Sequence, residues 1–435
     1  MLKSETVKKY DTYKDSGIEW IGEIPQEWKF AKLAWCSNFV NGYAFNSENM
    51  DIEGEVPVVR IGDIQNNQVQ YETCLKVDSS EELKPYELKV NDIVIAMSGA
   101  TTGKLAVIYD EKQAYINQRV GIIRSKYNKF IRYCLDNESF MQYVALLSAG
   151  SAQPNISMGN ILDYKIPYIS IEEQQQIAEY LDKKCGEIDR VVETEKTVIE
   201  KLKEYKQSII TEAVTKGLDK SAPLKDSGIE WIGKIPQHWE VRKLKTIGDY
   251  RNGLTYSPED ICEEENGTLV LRSSNIKSGK LVLNDNVYVS SEIPNVLRVQ
   301  KGDILVCSRN GSRDLIGKNA IIDTDINASF GAFMMILRCS CSRYMYYILN
   351  SHIFNYYLGS FFTSTINQLT GKNFGGMDIV FCSDEKEQEQ IVEHLDKKCS
   401  EIDKAIADKE QVIEKFTEYK KSLIYECVTG KRKVV

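Results

Sequence analysis

Gly99-Ala-Thr-Thr-Gly-Lys104 has the residue types of a phosphate loop. Such a loop wraps a phosphate in backbone N–H groups, adds a lysine charge, and follows it with a Ser/Thr hydroxyl for magnesium. Two of the required positions are wrong. Ser98 stands where the first glycine belongs, and Leu105 replaces the hydroxyl residue. A second stretch, Ser312 to Asn319, fails at both places too. Nucleotide binding is therefore set aside. Two readings stay open: a turn that exposes N–H groups and Lys104 to a nucleic-acid phosphate, or an ordinary structural turn.

Asp92 with Asp110-Glu111-Lys112 imitates the carboxylates and lysine of a nuclease. The second half of the chain offers Asp303 with Asp323-Thr-Asp325 and no lysine, so the pattern reads as coincidence. His238, His352 and His394 are dispersed, and Cys339-x-Cys341 has no second pair, so no metal site is expected. The Asn/Asp-Pro-Pro-aromatic signature of adenine methyltransferases is missing. No catalytic residues are assigned, and this chain is expected not to be an enzyme by itself.

The elements that carry these residues occur twice. Asp15-Ser-Gly-Ile-Glu-Trp-Ile-Gly22 returns letter for letter as Asp226 to Gly233, an offset of 211. Ile24-Pro-Gln-Glu-Trp28 returns as Ile235-Pro-Gln-His-Trp239, and Leu181-Asp-Lys-Lys-Cys185 as Leu395 to Cys399, an offset of 214. A period this long means a duplicated domain pair rather than a solenoid. Each copy opens with a mixed segment, roughly 24–170 and 235–384. Val56 to Ile64, Val90 to Ala96, Thr268 to Arg272 and Asp303 to Cys307 read as strands there, with helices over 128–147 and 342–358. The fold class expected is α+β.

Each copy closes with a proline-free segment rich in Glu, Lys, Gln and Ile, 171–217 and 385–430. Ile188, Val191, Val198, Leu202, Tyr205 and Ile209 repeat at 3.5-residue spacing, as do Ile402, Ala405, Val412, Phe416, Tyr419 and Leu423. This predicts two long helices that pair as a coiled coil. Glu195 and Lys409 interrupt the two seams near the helix midpoints. In an antiparallel pair with internal pseudo-two-fold symmetry these two side chains face each other. Leu202 then lies near Ile402, and Ile188 near Phe416. A helix that packs only on its own domain is the alternative.

The chain has 435 residues with 55 Lys+Arg and 63 Asp+Glu, a formal charge of −8. This length supports more than one core. The mild acidity argues against coating nucleic acid by bulk charge, but not against local contacts. Eleven cysteines, an odd number, follow a polar Met1–Tyr13 stretch, which suggests reduced thiols and a cytoplasmic setting. No apolar run approaches the ~18 residues that span a membrane.

Gly17-Ile-Glu-Trp-Ile-Gly-x-Ile-Pro25 with Trp28, repeated at 228–239, resembles the opening of each target-recognition domain in specificity subunits of type I restriction-modification systems. Val58-Val-Arg-Ile-Gly-Asp-Ile64 and Asp92 to Gly103 resemble the domain interior. Glu173-Gln-x-x-Ile177 with Leu181-Asp182, and Glu387-Gln-x-x-Ile391 with Leu395-Asp396, resemble the starts of the spacer helices. Arg272-Ser-Ser-Asn-Ile276 departs from the Arg-x-Gly-Asp-Ile form.

The resemblance implies four parts. They are a first target-recognition domain with its N-terminal arm (1–170), a spacer helix (171–217), a second target-recognition domain with its linker (218–384), and a second spacer helix and tail (385–435). It also implies binding of a bipartite, asymmetric double-stranded DNA site. Two methyltransferase subunits using S-adenosylmethionine would make N6-methyladenine, and ATP-driven restriction subunits would join. No cofactor is expected on this chain itself. The rival reading is a two-headed protein scaffold that does not bind DNA.

Base readers should lie where the two copies differ and carry hydrogen-bonding groups. The candidates are Tyr43, Lys104, Asn117, Gln118 and Arg119 in the first domain, and Tyr256, Arg309, Asn310, Ser312, Arg313 and Lys318 in the second. Trp20, Trp28, Trp231 and Trp239 could stack on bases, but their repetition beside the preserved segments argues for packing between reader and helix.

Overall fold

The computed structural model describes residues 8–18, 21–148, 154–361 and 368–434. The chain divides into two compact units: residues 1–195 with 411–435, and residues 196–410. Each unit combines a globular domain with parts of both long helices.

In the first unit a four-stranded antiparallel sheet runs in the order Leu105–Val107, Ile93–Ala96, Val120–Arg124, Asn38–Asn41. The central Ile-Val-Ile-Ala strand is buried on both faces. Side chains alternate across a strand. Ile93 and Ile95 accordingly join the cluster containing Phe130, Phe140, Ile177 and Leu181, while Val94 and Ala96 join Val59, Ile64 and Ile116. The sheet is thus sandwiched. Helices Asn128–Leu135 and Glu138–Leu147 and the first long helix cover one face. A smaller sheet covers the other, with Val56–Val59 between Leu75–Val77 and Tyr115–Ile116.

The second unit repeats this plan. Its sheet order is Asp249–Asn252, Met334–Arg338, Ile304–Cys307, Asn319–Ile321, with helices Ser342–Leu349 and His352–Phe361. Ile304 and Val306 face the helices; Leu305 and Cys307 face the other side. The helical stretches read from the sequence each consist of two helices. In the first unit Asn137 starts the second one by accepting the Phe140 N–H through its side chain at 3.1 Å.

The long helices span Ile171–Lys216 and Glu385–Val428. Ser170 and Asp384 cap their first turns. Gly217 and Gly430, both at φ +72°, follow their ends, where a left-handed residue is needed. Within the first unit the helices are antiparallel. Asp189 pairs with Lys420 at 2.6 Å, and Tyr180, earlier in its helix, meets Arg432 beyond the end of the other. Within the second unit Lys206 pairs with Asp403 at 2.6 Å, and Gly217 lies against Glu387. The two ion pairs are the same pair 214 residues apart.

The expected seam holds along the second helix, whose six positions are all buried or half-buried, and departs at two positions of the first. Val191 is 36% and Tyr205 58% exposed, whereas Ile188, Ile199 and Ile210 are buried. Val192 and Lys206 take the inward positions assigned to Val191 and Tyr205. Apolar doublets such as Val191-Val192 and Val198-Ile199 allow either choice, and the 3.5-residue spacing alone does not decide between them. Ile188 lies in a cluster flanked by Phe416; Ile402 is buried and Leu202 half-buried.

Candidate nucleic-acid interface

Three of the four repeated tryptophans are packed inside the protein. Trp28 is buried and donates its indole N–H to Glu173 at 3.1 Å; Trp239 donates to Glu387 at 3.1 Å. Gln174 and Gln388, beside those glutamates, donate to the Ile169 and Cys382 carbonyls just before each helix. Each Glu-Gln pair therefore locks a globular domain onto its own long helix. Burial pushes the Glu387 carboxyl up, but hydrogen bonds from His238, Cys382 and Trp239 outweigh it and hold it below the ordinary glutamate range. Trp231 stacks on Tyr356 at 4.3 Å. Trp20 lies outside the described residues.

The nuclease-like carboxylates dissolve in the same way. Asp92 is buried and held by Arg124, with the Lys89 N–H also donating to it at 2.8 Å. Asp303 does the same with Arg338 and the Gln300 N–H. Both are internal ion pairs tying the central strand to its neighbour. Asp63 of the Arg-Ile-Gly-Asp turn accepts from the Arg60 N–H and the Thr73 hydroxyl. Asn275 of the departing second copy accepts the Arg272 N–H identically, at 2.8 Å. The turn survives the change of letter.

Most N–H groups of the Gly99–Lys104 turn are used inside the protein. The N–H groups of Gly99, Thr102, Gly103 and Lys104 all bond to carbonyls of the protein, at 2.8–3.1 Å. They are not available to a phosphate. The Lys104 side chain itself is exposed.

The candidate readers gather at one end of each four-stranded sheet. In the first unit Tyr43 bridges Asn117, and the Asn117 backbone packs so closely on Gly42 that a Cβ there would sit 2.0 Å from the Asn117 carbonyl oxygen. Gln118 and Arg119 follow, both exposed, and Arg119 accepts the Met97 N–H at 2.9 Å. Lys104 enters at the same end through its carbonyl, which accepts from Ala96. Asn117 is partly spent, since its side chain accepts the Gln118 N–H at 2.7 Å.

In the second unit Arg309 is exposed and lies over the Phe333 ring at 5.2 Å. Lys318 donates to the Ser273 carbonyl, and Asn310 donates to Ser273 and accepts from the Ser312 N–H, so both are engaged inside the domain. Ser312 and Arg313 are exposed on the turn between. Tyr256 is half-buried against Val270, Val289 and Ile293.

These arrangements occur on a fold that matches a known family. The sequence model for the type I restriction modification DNA specificity domain matches residues 25–204 and again 236–415. The chain belongs to that family. Among relatives of the specificity family, the MjaVIII type I restriction enzyme specificity subunit of Methanocaldococcus jannaschii is 23% identical over 94% of both chains. The EcoBI specificity subunit of Escherichia coli is 26% identical over 72% of this chain and 66% of its own. A solved chain from work on complex assembly and conformational transition of the type I R-M system superposes with a TM-score of 0.66 at 14% identity, covering 94% of this chain and 99% of that one. At that identity the likeness supports the fold.

One exposed side chain at this rim was not among the candidates read from the sequence. Phe333 occupies in this specificity chain's second unit the place that Arg119 holds in the first. Its carbonyl accepts the Ser308 N–H at 2.9 Å, just as that of Arg119 accepts the Met97 N–H. The signal was present: Phe333 is Arg119 displaced by the same 214 residues. It was passed over because only hydrogen-bonding side chains were sought.

Proposed function

We propose that this chain is the DNA-specificity subunit of a type I restriction-modification complex and that each unit reads one half of a bipartite, asymmetric duplex site. One observation carries the asymmetry. The two sheets present different side chains from equivalent backbone positions. Tyr43, Ser98 and Asn117-Gln118-Arg119 in one are replaced by Leu254, Arg309 and Gly331-Ala332-Phe333 in the other, on matching backbone hydrogen bonds. The interior ion pairs and the tryptophan anchors are repeated without change. A fold duplicated in its supports and diverged at one rim is suited to two different targets.

The chain is a non-catalytic subunit. Its support for chemistry is positional: it brings a methyltransferase to chosen bases. Two methyltransferase subunits carrying S-adenosylmethionine, joined by ATP-driven restriction subunits where restriction operates, complete this reading. The repeated helix segments offer a similar docking face twice. The long helices set the distance between half-sites, about one duplex turn.

Reconstitution with its methyltransferase partner and titration with duplex DNA at several salt concentrations tests the reading. Affinity should fall steeply with salt, because phosphate contacts release counterions. A complex with no DNA affinity at any salt would favour a protein scaffold.

A further inference from the structure

The two rims differ in a way that assigns a recognition element. Each places a guanidinium beside the equivalent backbone contact, but from different strands; Arg313 adds a second on the following turn of the second unit. In the first unit it is Arg119, directly before the Val120–Arg124 strand, with the small, buried Ser98 across from it. In the second, Phe333 stands directly before Met334–Arg338, and Arg309 replaces Ser98. The equivalence is fixed by hydrogen bonding and bridging. Ser98 bridges Asn155, and Arg309 bridges Gln368, in the same antiparallel sense.

Phe333 is 58% exposed, although the strand that follows it is buried from Met334 to Leu337. A phenyl ring held in water contributes little to folding. Among the described residues its one aromatic or cationic contact is the Arg309 guanidinium, 5.2 Å from the ring centre. A guanidinium held over an aromatic face loses rotamer freedom before any ligand arrives. That is the preparation a bidentate contact with a guanine edge requires.

We infer, resting on the DNA reading above, that Arg309 is the guanine-contacting residue of the second half-site and that Phe333 is its positioning residue. Arg119 supplies the corresponding contact in the first half-site, with no aromatic ring under it among the described residues. Part of the specificity difference between the halves thus comes from a strand exchange of one arginine and its replacement by a phenylalanine.

The test uses the full chain with its methyltransferase partner and selection from a randomised duplex library, followed by sequencing of bound DNA. Arg309→Ala should lower the preference for guanine at one position of one half-site by about tenfold, with the other half unchanged. Phe333→Ala should flatten the same position, and Phe333→Tyr or Phe333→Trp should restore it. A purely structural role would weaken binding without altering base preference and would not be rescued by ring identity. Wild-type selection of a split motif with Phe333→Ala leaving every position unchanged would overturn this inference alone. Failure of the wild-type complex to select any motif would overturn the DNA reading beneath it.

Discussion

At the scale of single residues, the groups with catalytic credentials are mostly structural. Asp303 is 1% exposed and bonded to Arg338 through both carboxylate oxygens. Removing one partner of a buried pair leaves the other charge unpaired. Asp303→Ala should therefore lower stability by about 3 kcal/mol or more in denaturant unfolding, with the selected DNA motif unchanged. Trp239→Ala should cost about 3–5 kcal/mol by the same measurement, because it empties a core position and removes one of the donors to Glu387. The Glu387 contacts also carry a pH dependence. Its carboxyl titrates lower folded than unfolded, so its contribution is present above the ordinary glutamate range and is lost as pH falls through the lowered value. The stability gap between wild type and Glu387→Gln should hold constant at neutral pH and shrink in acid. A gap that grows in acid would mean the sign is wrong.

At the scale of elements, the helices were legible in outline and wrong in detail. Composition and spacing marked both long helices within two residues of their ends, since a proline-free Glu/Lys/Ile run with glycine behind it leaves little choice. Part of the first helix's inward face was not legible, because adjacent apolar residues at 191–192 and 198–199 satisfy two seams equally. Lys206 with Asp403 and Lys420 with Asp189 settle it, and such pairs are invisible to a hydrophobic count. Reversing either pair, as Lys206→Glu with Asp403→Lys, should leave thermal stability within about 1 kcal/mol, since the pairs are partly exposed, while each single change costs more. The rim loops were legible as places of divergence, but which side chains stay available was not. Lys318 looks like a DNA-facing cation until the structure shows its ammonium on the Ser273 carbonyl.

At the scale of the whole molecule, the duplication is the functional statement. Each copy keeps what holds a reader to a helix and changes what the reader shows. Exchanging residues 30–170 for the corresponding segment of another family member should change one half-site and leave the other. Inserting four residues into Ile171–Lys216 lengthens that helix by about 6 Å, equivalent to one or two base pairs at about 3.4 Å each. The gap between half-sites should lengthen accordingly. The most direct measurement is a genome-wide map of N6-methyladenine in cells carrying the neighbouring methyltransferase, with and without this gene. A split, asymmetric motif that disappears on deletion is the expected result. An identical map after deletion, with the methyltransferase expressed and active, would contradict the assignment of DNA specificity to this chain.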